Sequence, residues 1–337
     1  MAQRRRRLKK KKILLTFFLM VLIAVMGACV FYIVSVLRDF EGSRDQSFTT
    51  DLSELGITQE TDVSIVDDGD GSSIVNIALF GVDQRDEEQC RSDVVMIATV
   101  DKRHNKIKLT SIMRDSYVPI DGYGSRKLNS AYFFGGPELA VKTLNQVFDL
   151  QITDYVTVNF SEMAQIVDAV GGVEIDVSEE ERLDANHNMI EQAAQSGEEV
   201  QTIQQAGRQT LTGMQAVAYA RIRYVGNSDF ERTERQREVM TAIFDKGKAM
   251  SPLEYPGLIS KLLPVVETSL GLDEILSMAG IMLRDVTIED IRIPYNEDLI
   301  NGGEIWVDGQ VCLYYDLDAS RDKLHQFIYQ DVMPQQP

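Results

Sequence analysis

Five arginines lie within 21 residues of an acidic chain. The stretch 219–239 reads YARIRYVGNSDFERTERQREV and contains Arg221, Arg223, Arg232, Arg235 and Arg237. The whole chain carries a formal net charge of −18. Guanidinium groups bind phosphate oxygens through paired hydrogen bonds, and a helix N-terminus adds a dipole that favours an anion. The cluster therefore predicts a site for a multiply charged anion.

The spacing within this stretch distinguishes its arginines from one another. The alternation in YARIRYV predicts an extended segment with Arg221 and Arg223 on one face, followed by a helix. Arg232 lies in the first turn of that helix, where the macrodipole disfavours a cation, and Asp229 is its only obvious local partner. Arg237 follows a glutamate by three residues, a spacing typical of a solvated ion pair. We expect Arg221, Arg223 and Arg232 to face a ligand, and Arg237 to face solvent.

Two aspartates flank the loop between the first two apolar runs. Asp83 ends IVNIALFGVD, and Asp93 begins DVVMIATVD, so the loop brings both carboxylates to one edge of a sheet. Two carboxylates suit Mg²⁺, which shares its remaining positions with phosphate and water. Aspartates that cap turns are an equally good explanation of the same pattern. The sequence has no GxxxxGK[ST] motif, which excludes a nucleotide P-loop.

Alternating strand and helix patterns surround these residues. IVNIALFGVD, DVVMIATVD and KIKLTSIMRD are typical of buried strands, and the spacing in 136–148 predicts a helix. Further alternation predicts one α/β domain of the α-β-α type, with a central mixed sheet flanked by helices. The polar segment 178–208 is predicted as a surface excursion. Residues 74–250 are expected to form the catalytic domain, and 251–337 to pack on it or complete it.

The N-terminus predicts a membrane anchor. Residues 4–12 read RRRRLKKKK, and 13–37 contain no charge over 25 residues. As a helix this span is about 37 Å long, enough to cross a hydrocarbon core of about 30 Å. The positive-inside rule places 1–12 in the cytoplasm and the remainder outside. A cleaved signal peptide is the alternative. Residues 38–73 are expected to be an extended spacer.

The distribution of charge along the chain argues against a nucleic-acid-binding protein, and the cysteines leave disulfide formation open. Eight of the 34 Lys and Arg residues lie in 4–12, whereas all 52 Asp and Glu residues follow it. The strongly acidic part outside the membrane is therefore a poor candidate for nucleic-acid binding, which requires neutralisation of phosphates. Residues 1–12 are too short to fold into a sequence-specific DNA-binding domain, which argues against a transcriptional regulator. Cys90 and Cys312 could pair, but the sequence leaves this open.

The order of motifs resembles the LytR-CpsA-Psr family of cell-wall enzymes. The similarity covers residues 74–248 and is carried, in order, by FGVDQR, RSDVVMI, SIMRDSYVPI, KLNSAYFFGG, VDAVGGVEIDV, LTGMQAVAYARIR and DFERTERQREV. The resemblance implies a phosphotransferase on the outer face of a Gram-positive membrane. Such an enzyme moves a glycopolymer, such as teichoic acid or capsular polysaccharide, from a polyprenyl-pyrophosphate carrier to peptidoglycan and releases polyprenyl phosphate.

The resemblance also implies roles for individual residues. Asp83 and Asp93 would hold Mg²⁺, and Asp229 would be the base or orienting group. The pyrophosphate would be gripped by Arg114, Arg221, Arg223 and Arg232. Secondary candidates for substrate binding are Arg85, Arg91, Lys127, Asn129, Arg235 and Gln236. An apolar groove or tunnel beside the sheet would hold the polyprenyl chain. A pyrophosphatase acting on the same carrier and a non-catalytic carrier-binding protein are the alternatives.

Overall fold

The computed structural model describes residues 44–57, 74–83, 90–196, 200–226, 229–251 and 253–334. The predicted span 13–37 and the basic segment before it lie outside these residues. Within the described ranges, no helix is both long and apolar enough to cross a bilayer. The fold is that of the compact unit that begins at Arg44.

The described strands and helices alternate along much of the chain. The strands are β1 (Ile74–Val82), β2 (Ser92–Asp101), β3 (Lys106–Ile112), β4 (Tyr117–Ile120), β5 (Gly124–Lys127), β6 (Ile152–Asn159), β7 (Val173–Val177), β8 (Gly207–Leu211), β9 (Glu267–Thr268), β10 (Thr287–Ile293), β11 (Leu299–Val307) and β12 (Gln310–Tyr315). The helices are α1 (Asn129–Phe148), α2 (Phe160–Ala169), α3 (Glu179–Ser196), α4 (Gly213–Ala220), α5 (Asp229–Ala249), α6 (Tyr255–Leu262), α7 (Leu272–Ala279) and α8 (Leu317–Gln330). Short 3-10 turns span Leu263–Val265, Gly280–Leu283 and Asn296–Asp298.

Six strands form a mixed central sheet in the order β10-β3-β2-β1-β6-β9. β10 runs parallel to β3 and β1 parallel to β6, whereas the β3–β2, β2–β1 and β6–β9 pairs are antiparallel. Three two-stranded antiparallel sheets, β4–β5, β7–β8 and β11–β12, lie outside this sheet. The predicted α/β fold with a central mixed sheet flanked by helices is confirmed.

Helices cover both faces of the sheet. On one face, Phe80 of β1 packs in a buried cluster with Leu144 and Phe148 of α1 and Phe327 of α8. On the other face, Leu109 of β3 belongs to a cluster against which half-buried side chains of α5 pack. β1 is apolar at almost every position because neither of its faces meets water.

A third apolar cluster lies under the two-stranded β7–β8 sheet, and its members correct the prediction that 178–208 is a surface excursion. Most of that segment is helix α3, and its Ala185 and Met189 are buried against Tyr219 of α4. These two apolar residues are four positions apart and therefore share one helix face. The segment is thus an amphipathic part of the domain. The predicted strand GGVEIDV forms β7 but pairs with β8 instead of joining the central sheet.

The described part of the predicted spacer also differs from expectation. Residues 44–57 pack on the domain, where the Asp45 N–H donates to the Thr268 carbonyl at 2.8 Å. The ring of Phe48 lies 4.9 Å from that of Tyr155, and Leu55 is buried. These apolar side chains stabilise an ordered segment within an otherwise polar stretch. Cys90 and Cys312 are both free thiols.

One glycine fixes the helix that precedes the arginine stretch. A Cβ on Gly213, at the start of α4, would lie 2.0 Å from the carbonyl oxygen of Ala164 in α2. The Gly213 N–H also donates to Asp168 Oδ1 at 2.7 Å. Only glycine permits this approach of the two helices. The packing sets where α4 ends, and Arg221 follows at that end.

Candidate functional site

A polar pocket of about 400 Å³ lies beyond the ends of β1 and β2. The β1–β2 register pairs Val82 with Ser92, which places the aspartates that follow them at the same edge of the sheet. α3, the segment after α4 and the first turns of α5 supply the other walls. The predicted residues that line it are Asp83, Asp93, Arg221, Arg223, Arg232 and Gln236.

The arginines reach this pocket by a different route from the one predicted. Tyr219 and Ala220 are the last residues of α4, and Arg221 is its C-cap, so YARIRYV is not an extended strand. The helical spacing of the preceding apolar residues, of which Ala216, Val217 and Tyr219 are buried, outweighs the short alternation. Arg221 lies with its Cζ 4.4 Å from the ring centroid of Phe160.

Arg232 is a buried cation with an incomplete set of partners. It is 3% exposed, and its Nη1 lies 2.9 Å from Asp229 Oδ1. That ion pair lacks hydrogen-bond geometry, so Nη1 has no hydrogen-bond partner among the described residues. Burial, together with repulsion from Arg114 and Arg223, lowers the pKa of Arg232 to about 10. A bound anion would relieve both the burial cost and the repulsion.

Arg114 connects the arginine cluster to the aspartate edge. It follows β3 and donates from Nη1 to Asp93 Oδ1. Burial opposes its charge, but Asp93, Asp115 and Asp229 prevail and raise the pKa of Arg114. Arg114 and Arg232 influence one another electrostatically, which places Arg114 beside the pocket.

Two of the secondary candidates, Lys127 and Asn129, do not line the pocket but contact Arg114 or its partner Asp115. Lys127 Nζ donates to Asp115 Oδ1 at 2.6 Å, and Asp115 Oδ2 lies 3.6 Å from Arg114 Nε. The Asn129 N–H donates to the carbonyl of Arg114 at 3.1 Å. Arg91 lies with its Cζ 5.7 Å from the Phe133 ring, and Arg85 falls outside the described residues.

Arg237 is not solvated, contrary to the prediction. It is 8% exposed, donates from Nε to Asp290 on β10 and donates from Nη1 to the carbonyl of Thr233. Because α5 packs on the sheet, the face of the helix that carries Arg237 is turned inward. Its role is therefore structural, as expected, but it is a buried contact that connects α5 to the sheet instead of a surface ion pair.

Arg235 holds the segment that carries the pocket arginines. It is 5% exposed and donates to Glu181 Oε1 of α3 at 2.8 Å and to the Val225 carbonyl at 3.1 Å. Burial opposes the charge of Glu181, but the hydrogen bond and charge of Arg235 and the hydrogen bonds from Ser178 together outweigh it and lower the pKa of Glu181. Arg235 does not line the pocket; it ties residues 221–226 to α3.

Replacing Glu181 by glutamine is expected to weaken pyrophosphate binding. The substitution removes the charge that holds Arg235, and the pocket arginines lose part of their fixed position. Because misplaced guanidinium groups make fewer of the paired hydrogen bonds that bind phosphate oxygens, we expect roughly tenfold weaker binding of inorganic pyrophosphate by titration calorimetry, which corresponds to about 1.4 kcal/mol. Glu179→Gln on the same helix is the control, because Glu179 pairs with Arg182 at the surface. Equal affinities of the two variants would contradict this role.

Several pocket residues were not predicted from the sequence. His187 and Asn188 reach the pocket from α3, and Tyr224, which is 86% exposed, lies at its edge. The apolar pair Ala185 and Met189 was the available signal, because it identifies a helix whose opposite side is free to face a ligand. The polar composition of the segment 178–208 suggests a surface excursion instead of a helix.

An apolar cavity of about 160 Å³ lies next to the polar pocket. It is enclosed by β1, β2 and β6 on one side and by α2, α4 and α5 on the other. Its walls include Leu79, Met96, Val156, Met163, Val217 and Val239. The cavity and the polar pocket share Val94, Phe160, Arg221 and Gln236. An apolar chamber therefore meets an arginine-lined one at a common wall.

The aspartate edge suits a hard divalent cation. Asp83 is exposed, Asp93 is partly buried, and both carboxylates face the polar pocket. Arg114 occupies Oδ1 of Asp93. Carboxylate oxygens at the rim of a polar pocket are the donors that Mg²⁺ prefers, and phosphate and water would complete its octahedron. The donor set fits this ion.

Comparisons with known proteins agree with the fold. The chain matches the LytR_cpsA_psr family over residues 45–323, so the similarity extends beyond the expected limits of 74–248 at both ends. It is 32% identical over 308 residues to a Bacillus cereus protein named polyisoprenyl-teichoic acid–peptidoglycan teichoic acid transferase TagU, covering 90% of this chain and 91% of that protein. A TagU from Enterococcus faecalis is 35% identical over 60% of this chain and 64% of its own length. A structure of TagT bound to LI-WTA superposes with a TM-score of 0.61 and 25% identity, over 76% of this chain and 91% of TagT.

Proposed function

Because this chain belongs to the LytR_cpsA_psr family, we propose that it transfers a glycopolymer from a polyprenyl-pyrophosphate carrier to peptidoglycan and releases polyprenyl phosphate. Relatives named as teichoic acid transferases support the reaction class. The polymer is a teichoic acid or another wall or capsular polysaccharide.

One observation carries this proposal: the apolar cavity and the arginine pocket share a wall. A lipid pyrophosphate is apolar at one end and densely charged at the other. The cavity accepts the first prenyl units, each buried CH₂ contributing about 0.8 kcal/mol. Arg221, at the shared wall, and Arg232 then lie where the pyrophosphate begins. Neither chamber alone would select such a ligand.

The proposed reaction gives each of the predicted catalytic and metal-binding residues a role. A hydroxyl oxygen of the acceptor sugar attacks the phosphorus that carries the glycopolymer, and the bond to the lipid phosphate breaks. Asp229 accepts the hydroxyl proton, and the product is a phosphodiester. Arg114, Arg221, Arg223 and Arg232 neutralise the charge that moves onto the leaving lipid phosphate. Mg²⁺ held by Asp83 and Asp93 would supply further neutralisation of the pyrophosphate oxygens.

We also propose a location for the protein. Residues 13–37 anchor it in the cell membrane as a single span, with 1–12 in the cytoplasm and the catalytic domain on the outer face of a Gram-positive envelope. The uncharged span and the basic residues before it support this arrangement. The lipid carrier would then reside in the same membrane as the protein.

A reconstituted transfer assay tests the function. Full-length protein in mild detergent is given radiolabelled polyprenyl-pyrophosphate glycan and Mg²⁺, with and without peptidoglycan. We expect label on peptidoglycan, release of polyprenyl phosphate only when peptidoglycan is present, and loss of both with EDTA. Release without peptidoglycan would identify a pyrophosphatase. Donor binding without turnover would identify a carrier-binding protein.

A cavity variant tests the observation itself. Val217, which is 4% exposed, lines the apolar cavity, so Val217→Phe fills space where a prenyl chain would lie. We expect it to lose the long-chain donor while binding inorganic pyrophosphate like the wild type. Equal loss of both ligands would indicate damage to the fold, and retention of both would remove the cavity from the lipid site.

A further inference from the structure

A row of aromatic and arginine side chains lies outside the proposed reaction centre. Arg91 Cζ lies 5.7 Å from the Phe133 ring centroid, and the Phe133 and Phe134 centroids are 5.5 Å apart. Tyr123 stacks on Phe134 at 4.2 Å with an interplanar angle of 3°, and Arg126 Cζ lies 5.9 Å from Phe134. We call this row the aromatic track: Arg91, Phe133, Phe134, Tyr123 and Arg126.

Both ends of the aromatic track are close in the chain to residues at or beside the polar pocket. Arg91 precedes Asp93, a pocket residue, by two positions. At its other end, Arg126 is followed by Lys127, whose ammonium is bonded to Asp115 next to Arg114. The track is therefore linked to Arg114, which lies beside the pocket, through Lys127 and Asp115.

Tyr123 and the two arginines of the track are exposed, whereas Phe133 and Phe134 are half-buried beneath them. The side chain of Arg126 is 46% exposed, Tyr123 is 43% exposed, and Arg91 is exposed as well. Arg126 Nη1 lies 3.7 Å from Asp308 on the β11–β12 hairpin, which also carries Trp306 at 74% exposure. Tyrosine, tryptophan and arginine side chains are enriched at binding surfaces.

We infer that the aromatic track binds the glycan strand of peptidoglycan and delivers its acceptor hydroxyl to the pocket. The inference rests on the proposed function. Pyranose rings present a flat C–H face that stacks on aromatic rings, and their hydroxyl and ring oxygens can accept hydrogen bonds from the guanidinium groups of Arg91 and Arg126.

The position of the track favours the acceptor over the donor glycan. Phe133 and Phe134 belong to α1, which covers the sheet face opposite to the helices that enclose the apolar cavity. A strand on the track therefore approaches the pocket from the side away from the lipid. In-line phosphoryl transfer requires the attacking oxygen to lie opposite the leaving group.

The test compares binding and catalysis in three full-length variants. Tyr123→Ala and Arg126→Ala alter the track, and Arg208→Ala removes a more exposed, ion-paired arginine from β8. Each is assayed for co-sedimentation with purified sacculi, for binding to glycan strands freed of their peptides, and for the KM of peptidoglycan in transfer. Donor binding by native mass spectrometry and the thermal midpoint are measured alongside.

We expect both track variants to bind sacculi and free glycan about tenfold more weakly, with a matching rise in KM, which corresponds to about 1.4 kcal/mol. Donor binding, the thermal midpoint and Arg208→Ala should be unchanged. Unaltered sacculus binding, binding of the stem peptide alone, a change confined to oligomeric state, or no wild-type binding would each overturn the inference. Failure of the proposed function would appear differently, as absent transfer by the wild type while track-dependent glycan binding persists.

Discussion

Replacement of Arg232 by alanine is expected to reduce glycopolymer transfer by at least about 100-fold, the usual cost of removing one preorganised group that stabilises transition-state charge. Arg232 is almost fully buried beside Asp229 and lines the polar pocket. Its pKa is lowered to about 10 by burial and by neighbouring arginines, so the cluster is electrostatically unfavourable until an anion arrives. The loss should appear in kcat and in donor affinity together.

The same substitution is not expected to destabilise the fold. It removes a guanidinium that Arg114 and Arg223 repel, so the thermal midpoint should stay the same or rise, as at other sites where function opposes stability. Arg232→Lys should restore little activity, because an ammonium lacks the planar fork that binds phosphate. Arg208→Ala is the surface control. Transfer within about threefold of the wild type, against the expected factor, would show that Arg232 does not contact the donor.

Local rules account for the parts of the site that could be predicted. Asp83 and Asp93 were found because strand ends are visible in the sequence and a hairpin loop must bring them to one edge. Arg232 was found because a cation in the first turn of a helix contradicts the dipole. In each case the signal lies within a few residues of the functional group.

Residues whose surroundings are set by distant packing could not be predicted. Arg237 pairs with Asp290, 53 positions away, and no local pattern identifies that partner. His187 faces the pocket only because α3 packs on α4 through Ala185 and Met189. The central sheet itself was predictable from apolar runs, whereas its order and the exclusion of β7 depend on pairing between remote strands.

The second prediction with a large expected effect concerns the stability of the fold. It rests on a buried ion pair between β2 and β3, away from the polar pocket. Lys108 of β3 is fully buried, and its Nζ donates to Asp101 Oδ2 at 2.8 Å and to the carbonyl of Ile328 in α8 at 3.1 Å. Asp101, His104 and Asp331 have the spacing of a metal site. However, Lys108 contacts both carboxylates, so a lysine already supplies the positive charge there.

Lys108→Met is expected to lower the free energy of unfolding by about 3 kcal/mol, because removing one member of a buried ion pair leaves the other charge uncompensated. Denaturant titration measures the loss, with Lys142→Met as the control at a more exposed pair, where a cost below about 1 kcal/mol is expected. The double variant Asp101→Asn/Lys108→Met should recover much of the loss. Equal stability of the two single lysine variants would contradict the account.

Acid should reveal the same network in the wild-type protein. Burial opposes the charge of Asp101, but hydrogen bonds from Lys108 and His104 outweigh it and lower its pKa below the ordinary value of 3.8. The unfolded chain therefore binds this proton more readily than the folded one, and the contribution of Asp101 to stability is present above about pH 4 and lost as the pH falls through the folded pKa. The double variant should lack this component, so its stability should depend less on pH than that of the wild type below about pH 4.

Since Lys108 also donates a hydrogen bond to α8, acid should loosen that helix from the sheet before the arginine pocket is affected. Hydrogen exchange at the backbone amides of Phe327 and Ile328 would report this loosening.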